Sequence, residues 1–141
     1  MKADLVLAAA LTFAVLAAPV ARGADDVRNS NGIAYVSGGV GLESRRALRE
    51  SKDNYNLMVT LARADGHYMG GAALSIRDAR GKAVLTIDTE GPWTFAKLPP
   101  GTYTVEATIA DVTRRAEVRV RAKQLKRVRL SWNRRSTKTT E

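Results

Sequence analysis

Between Asn54 and Trp132 apolar residues recur at every second position in short runs, and each run ends at a turn signal. Tyr55, Leu57, Val59 and Leu61 make one face of a strand that stops at Asp65-Gly66. Ala72, Leu74 and Ile76 line the next, which stops at Asp78-Ala79-Arg80-Gly81. Ala83, Leu85 and Ile87 form a third before Glu90-Gly91-Pro92, residues 93–96 a short fourth, and residues 101–109 a fifth that ends near Ala110-Asp111. Ala116, Val118 and Val120 line a sixth. After Ala122-Lys123-Gln124, Val128, Leu130 and Trp132 line a seventh. Alternation at this spacing is the mark of strands with one buried face, stacked as two sheets. The pattern predicts an all-β fold, a seven-stranded antiparallel Greek-key-type β-sandwich preceded by a short N-terminal helix.

The sharpest corner is Lys97-Leu98-Pro99-Pro100-Gly101-Thr102-Tyr103-Thr104-Val105. Two prolines preset φ near −65° and remove two backbone donors, after which Tyr103, Val105, Ala107 and Ile109 resume the period of two. Upstream, residues 33–36 suit a short edge strand, and Ser37-Gly38-Gly39-Val40-Gly41 reads as a flexible loop. Across residues 42–52 only Leu42, Ala47 and Leu48 are apolar among charged neighbours, which predicts one helix with a narrow apolar stripe. Arg46 and Glu50 are spaced four apart, as a helical ion pair requires.

The N-terminus follows a different rule. Residues 5–18 are apolar apart from Thr12, a helix of about 21 Å at ~1.5 Å per residue, short of a ~30 Å hydrocarbon core. Lys2 precedes the run, Pro19 breaks it, and Ala21-Arg22-Gly23 places small residues before a cut at Ala24. These features predict a secretory signal peptide over residues 1–23, no permanent membrane span, and a periplasmic or secreted protein after cleavage near Gly23/Ala24. The rest divides into a lead-in over 24–53 with the Gly-rich loop and helix, the sandwich over 54–132, and a polar tail over 133–141.

Composition narrows the chemistry. With no cysteine, neither a disulfide framework nor a thiolate metal site exists. The chain carries a net charge of +9 over 141 residues, and loss of residues 1–23 lowers it by one unit, so the expected partner is a protein or an anionic component of the cell envelope. Nucleic acid is disfavoured, because no sheet interleaves aromatic and basic positions. His67 is the single histidine, too few for a zinc peptidase or a Ser/His/Asp triad, and it sits beside the Asp65-Gly66 turn. Asp88 and Glu90 share the polar end of a strand as solvated turn acids rather than a glycosidase pair. Gly38-Gly39-Val40-Gly41 lacks the Lys-Ser/Thr of a phosphate loop. No catalytic residue, metal or cofactor is expected.

The strand, Asp78-Ala79-Arg80-Gly81, strand order, followed by Gly91-Pro92-Trp93-Thr94-Phe95 and the Leu98-Pro99-Pro100-Gly101-Thr102-Tyr103-Thr104-Val105 corner, resembles the carboxypeptidase regulatory-like domain. The likeness runs from about Asn54 to Trp132 and implies a transthyretin-like β-sandwich. In carboxypeptidases that sandwich is an accessory beside a separate zinc peptidase domain, so the likeness implies no peptidase activity. Relatives of the same sandwich that hydrolyse purine-derived lactams use several histidines and a terminal Tyr-Arg-Gly-Ser; here the tail reads Arg134-Arg135-Ser136-Thr137. Tyr35-Val36-Ser37-Gly38-Gly39-Val40-Gly41 also resembles small exported bacterial proteins carrying this domain.

Two surfaces remain as candidates. If the sixth and seventh strands pair, Arg119, Arg121, Arg127 and Arg129 share one solvent face, and a bound anion relieves their repulsion. The alternative is that these arginines splay into water and guard an edge strand. Trp93, with Tyr68 and Tyr103 as neighbours, suits a stacking platform for a glycan; the alternative is that Trp93, Phe95 and Trp132 are core anchors.

Overall fold

The computed structural model describes residues 27–133. The signal peptide expected over residues 1–23 and the tail beyond Asn133 lie outside the described residues. Among the described residues, nine strands and one α-helix follow in the order β1 (Arg28–Ser30), β2 (Ile33–Gly38), α1 (Leu42–Glu50), β3 (Leu57–Arg63), β4 (Ala73–Arg77), β5 (Ala83–Asp88), β6 (Trp93–Lys97), β7 (Gly101–Ile109), β8 (Val112–Val120) and β9 (Lys126–Trp132). A 3₁₀ turn, Lys52–Asn54, links α1 to β3. The strands form a five-stranded sheet, β1-β2-β6-β3-β9, and a four-stranded sheet, β5-β4-β7-β8.

The all-β expectation holds, and the count of seven does not. All seven alternating runs are strands, but β1 and β2 add an antiparallel hairpin that extends the larger sheet past β6. Its turn is Asn31-Gly32, with φ of 51° and 79°, the geometry of a two-residue hairpin turn that Asn-Gly favours. Asn29 braces it by accepting from the Gly32 N–H at 3.1 Å. β2 is therefore an inner strand rather than an edge, and α1 is inserted between β2 and β3 rather than preceding the sandwich. Nor is the fold wholly antiparallel, because β9 runs parallel to β3 in register from Leu57↔Lys126 to Arg63↔Trp132.

The inward faces of both sheets meet in one core that includes Leu57, Val59 and Leu61 of β3, Leu74 and Ile76 of β4, Val105 and Ala107 of β7, and Val128 and Leu130 of β9. A second cluster lies on the other side of the larger sheet, where Leu48 of α1 packs with Val36, Tyr55, Trp93 and Phe95. This explains why Trp93, Thr94, Phe95 and Ala96 are all buried: β6 has the smaller sheet below it and α1 above. The helix starts at Gly41 without a side-chain cap, and its entry loop is tied down instead. The Gly39 N–H donates to Ser44 Oγ at 2.8 Å, and Arg45 Nη1 donates to the Gly39 carbonyl at 3.1 Å. Gly39 has φ of 92° and lies so close to Trp93 that an added Cβ would be 3.2 Å from that side chain, so the Gly-rich loop serves close packing as well as chain reversal. Among the described residues no helix is long and apolar enough to cross a membrane.

Candidate functional site

The two halves of the expected arginine cluster fall on different sheets. β8 pairs with β7, setting Arg119 opposite Thr102, and β9 pairs with β3, setting Arg127 opposite Met58 and Arg129 opposite Thr60. Beyond the single bridge Arg121↔Gln124, β8 and β9 do not form a ladder. Arg119 and Arg121 thus belong to the outer side of the four-stranded sheet. Arg127 and Arg129 belong to the outer side of the five-stranded sheet, which Met58 shares with the Trp93 cluster. The pairing failed because the connection after Arg121 looks like a hairpin but crosses between sheets. Both strands are sheet edges, so their exposed basic residues also discourage edge-to-edge association.

The aromatic platform does not form either. Trp93 is 4% exposed and Tyr103 6%, and they belong to different clusters on opposite sides of the larger sheet. Tyr103 lies in the inter-sheet core, and its hydroxyl donates to the Pro99 carbonyl at 2.6 Å. Burial pushes the hydroxyl's pKa above its usual value of 10, with the Asp78 charge adding to the shift. Of the three rings only Tyr68, at 49%, is exposed, and it meets Trp93 edge-on with centroids 6.1 Å apart.

His67 sits in the β3–β4 turn, where its Nδ1 is 3.0 Å from Asp65 Oδ1. Arg63 Nη2 also donates to Asp65, at 2.6 Å. Arg63 first, and then His67, hold the Asp65 carboxyl well below the usual carboxylate range. This is a braced turn on an exposed loop. Among the described residues no group of three or more His, Asp or Glu side chains is placed to hold a metal ion.

What the structure does bring together is a basic groove on the outer side of the larger sheet. Its floor is Met58, Trp93, Phe95 and Leu125; its rim is Arg49 at the end of α1, Lys52 in the 3₁₀ turn and Arg127 on β9; its volume is about 280 Å³. The Arg49 guanidinium lies over the Trp93 ring at 5.3 Å, and Arg45, one turn earlier, lies over Tyr68 at 5.5 Å. Among the described residues the ion pairs are Arg28–Glu90, Arg63–Asp65, His67–Asp65 and Arg115–Glu106. Arg49, Lys52, Arg127 and Arg129 have no acidic partner there, and the spacing of Arg46 and Glu50 does not produce one either. Among the described residues the buried indole N–H of Trp93 has no acceptor, whereas that of Trp132 donates to the Val112 carbonyl at 2.9 Å. A larger hollow of about 570 Å³ near Ile33 and Tyr103 contains Asp78, but that carboxylate is already occupied by the N–H groups of Arg80 and Lys82.

Arg49 and Lys52 were not legible as neighbours of Arg127 around the groove, nor Arg45 as a partner of Tyr68. The available signal was the spacing of four between Arg45 and Arg49, which puts both on one helical face. That this face covers an aromatic sheet surface depends on the tertiary fold.

No protein-family model matches the chain, and no curated protein does. Among solved structures the chain is similar to the Bacillus anthracis TIE protein, at 21% identity and a TM-score of 0.41, over 55% of this chain and 16% of that one. A likeness this slight carries no functional argument.

Proposed function

We propose that this chain is an exported, noncatalytic binding module of the carboxypeptidase regulatory-like, transthyretin-like type that contacts an anionic component of the cell envelope through the face built by α1 and β9. The observation that carries the reading is the set of cations Arg49, Lys52, Arg127 and Arg129, contributed by α1, the 3₁₀ turn and β9 and lacking carboxylate partners among the described residues. Unpaired like charges on one side of a sheet repel, and an anion that joins them relieves the repulsion. The two-sheet fold and the strand and turn order from Leu57 to Trp132 support the family reading. The apolar run near the N-terminus supports export.

Vesicle sedimentation tests the proposal. The purified protein is expected to cosediment with vesicles containing phosphatidylglycerol at low salt, to be released as ionic strength rises, and to ignore phosphatidylcholine vesicles. Arg127→Glu with Arg129→Glu is expected to weaken capture at least tenfold, while Arg119→Glu with Arg121→Glu, on the other sheet, retains most of it. Equal losses in the two double variants, or no capture by the unaltered protein, would overturn the assignment to this face. The mass of the exported product checks the other half, with Ala24 expected as its first residue.

A further inference from the structure

The groove beside Trp93 has two kinds of wall, and no simple ligand satisfies both. Its floor is apolar, made by Met58, Trp93, Phe95 and Leu125, and its rim is cationic, made by Arg49, Lys52 and Arg127. An inorganic anion would meet the rim and leave the floor wet. A neutral hydrocarbon would cover the floor and leave three cations without partners. We infer that the groove binds a small amphipathic anion, a carboxylate or phosphate monoester on a short apolar body. This deepens the reading above by naming the ligand chemistry of the same face.

The charge arrangement points to that class. The rim cations come from three separate elements, so they converge only in the folded protein. Arg49 lies over the Trp93 ring at 5.3 Å, which places its guanidinium beside the groove floor with N–H edges that suit a planar carboxylate or a phosphate. Trp93 lines the groove, and its indole N–H is buried without an acceptor among the described residues, so its resonance is free to report changes in that floor. The volume of about 280 Å³ falls just under the ~300–1,000 Å³ of pockets for drug-sized ligands, so the body must be short.

The two indole N–H resonances provide the test. Trp132 is engaged by Val112 and belongs to the inter-sheet core, which makes it an internal control for Trp93. The purified protein is titrated, below any micelle concentration, with hexanoate and monohexyl phosphate, and in parallel with hexanol, acetate and inorganic phosphate. Saturable movement of the Trp93 resonance with one or both amphipathic anions is expected, with Trp132 unmoved and the three partial ligands at least tenfold weaker. Which of the two anions binds more tightly identifies the preferred head group. Arg127→Ala and Arg49→Ala should each raise Kd at least fivefold, and Arg119→Ala should leave it unchanged. Arg127 has no stacking partner among the described residues, so its variant guards against lost packing in the Arg49 variant. Unsaturable movement of both indoles, or an unchanged Kd in Arg127→Ala, would overturn the site. Capture by anionic vesicles without any Trp93 response would overturn the groove alone and leave the face intact; loss of both would overturn both.

Discussion

Asn56 is 2% exposed, yet every polar group it carries is engaged. Its side-chain amide donates to the Leu98 carbonyl at 2.7 Å and accepts from the Leu98 N–H at 2.8 Å, while its backbone bonds the Ala96 carbonyl and the Lys126 N–H. One residue thus joins the start of β3 to the corner after β6 and to the first residue of β9. Asn56→Leu leaves both Leu98 groups buried without partners, at roughly 1–3 kcal/mol for each. A fall of about 3 kcal/mol in stability is expected from the urea midpoint. The Pro-Pro-Gly corner is fastened by a second such contact, Tyr103 to Pro99. Tyr103→Phe should cost about 1 kcal/mol and should also change the alkaline limb. Because burial raises the folded hydroxyl's pKa above its unfolded value, its stabilising contribution is complete below the unfolded pKa and is lost as pH rises toward the folded one. Tyr55, raised by burial as well, acts in the same direction. Thermal melts between about pH 9 and 11 should therefore decline less steeply in Tyr103→Phe than in the unaltered protein.

Among the elements, the β7–β8 hairpin carries visible strain. Its two-residue turn is Ala110-Asp111, with φ of 48° and 64°, a conformation that disfavours a Cβ by about 1–2 kcal/mol and suits Asn-Gly. Ala110→Asn combined with Asp111→Gly is expected to stabilise the protein by about 1 kcal/mol, seen as a rise of a few degrees in Tm. Strands such as β7 and β8 were legible because each buries one face, so Val105, Ala107, Val118 and Val120 announce themselves by alternation. Partner choice was not, since it depends on which edge a strand reaches. The short link from Arg121 to Leu125 resembles a hairpin loop, yet β8 and β9 finish in different sheets, joined near their far ends by Trp132 Nε1 to Val112 and Arg114 Nε to the Ser131 carbonyl. β1 is too short and polar for its pattern to show, although Asn31-Gly32 was a readable turn. The burial of Trp93 on the outer side of β6 was hidden for another reason. A strand covered on both faces has no alternation from which to infer a covering helix, so the groove between Arg49 and Arg127 had no linear trace.

At the scale of the molecule there are three layers, α1, the five-stranded sheet and the four-stranded sheet, held by two apolar clusters of unequal size. α1 contributes only Leu48 and Ser44 as buried residues, whereas β4 and β7 are inner strands of their sheet. Hydrogen exchange should therefore release the amides of α1 well before those of Leu74, Ile76 and Val105, and by local opening rather than global unfolding. Uniform protection across all three layers would contradict this. A ligand in the groove bridges α1 to β9, so slower exchange of α1 on adding hexanoate is expected together with the Trp93 response. The parallel ladder from Leu57↔Lys126 to Arg63↔Trp132 has a consequence for timing. It joins the opening strand of the alternating region to its closing one, so the inter-sheet core stays incomplete until the end of the domain has been delivered. Long-range closure of this kind is slow and admits no stable early half. A polypeptide ordered in this way remains threadable until its last strand is available to pair with its first.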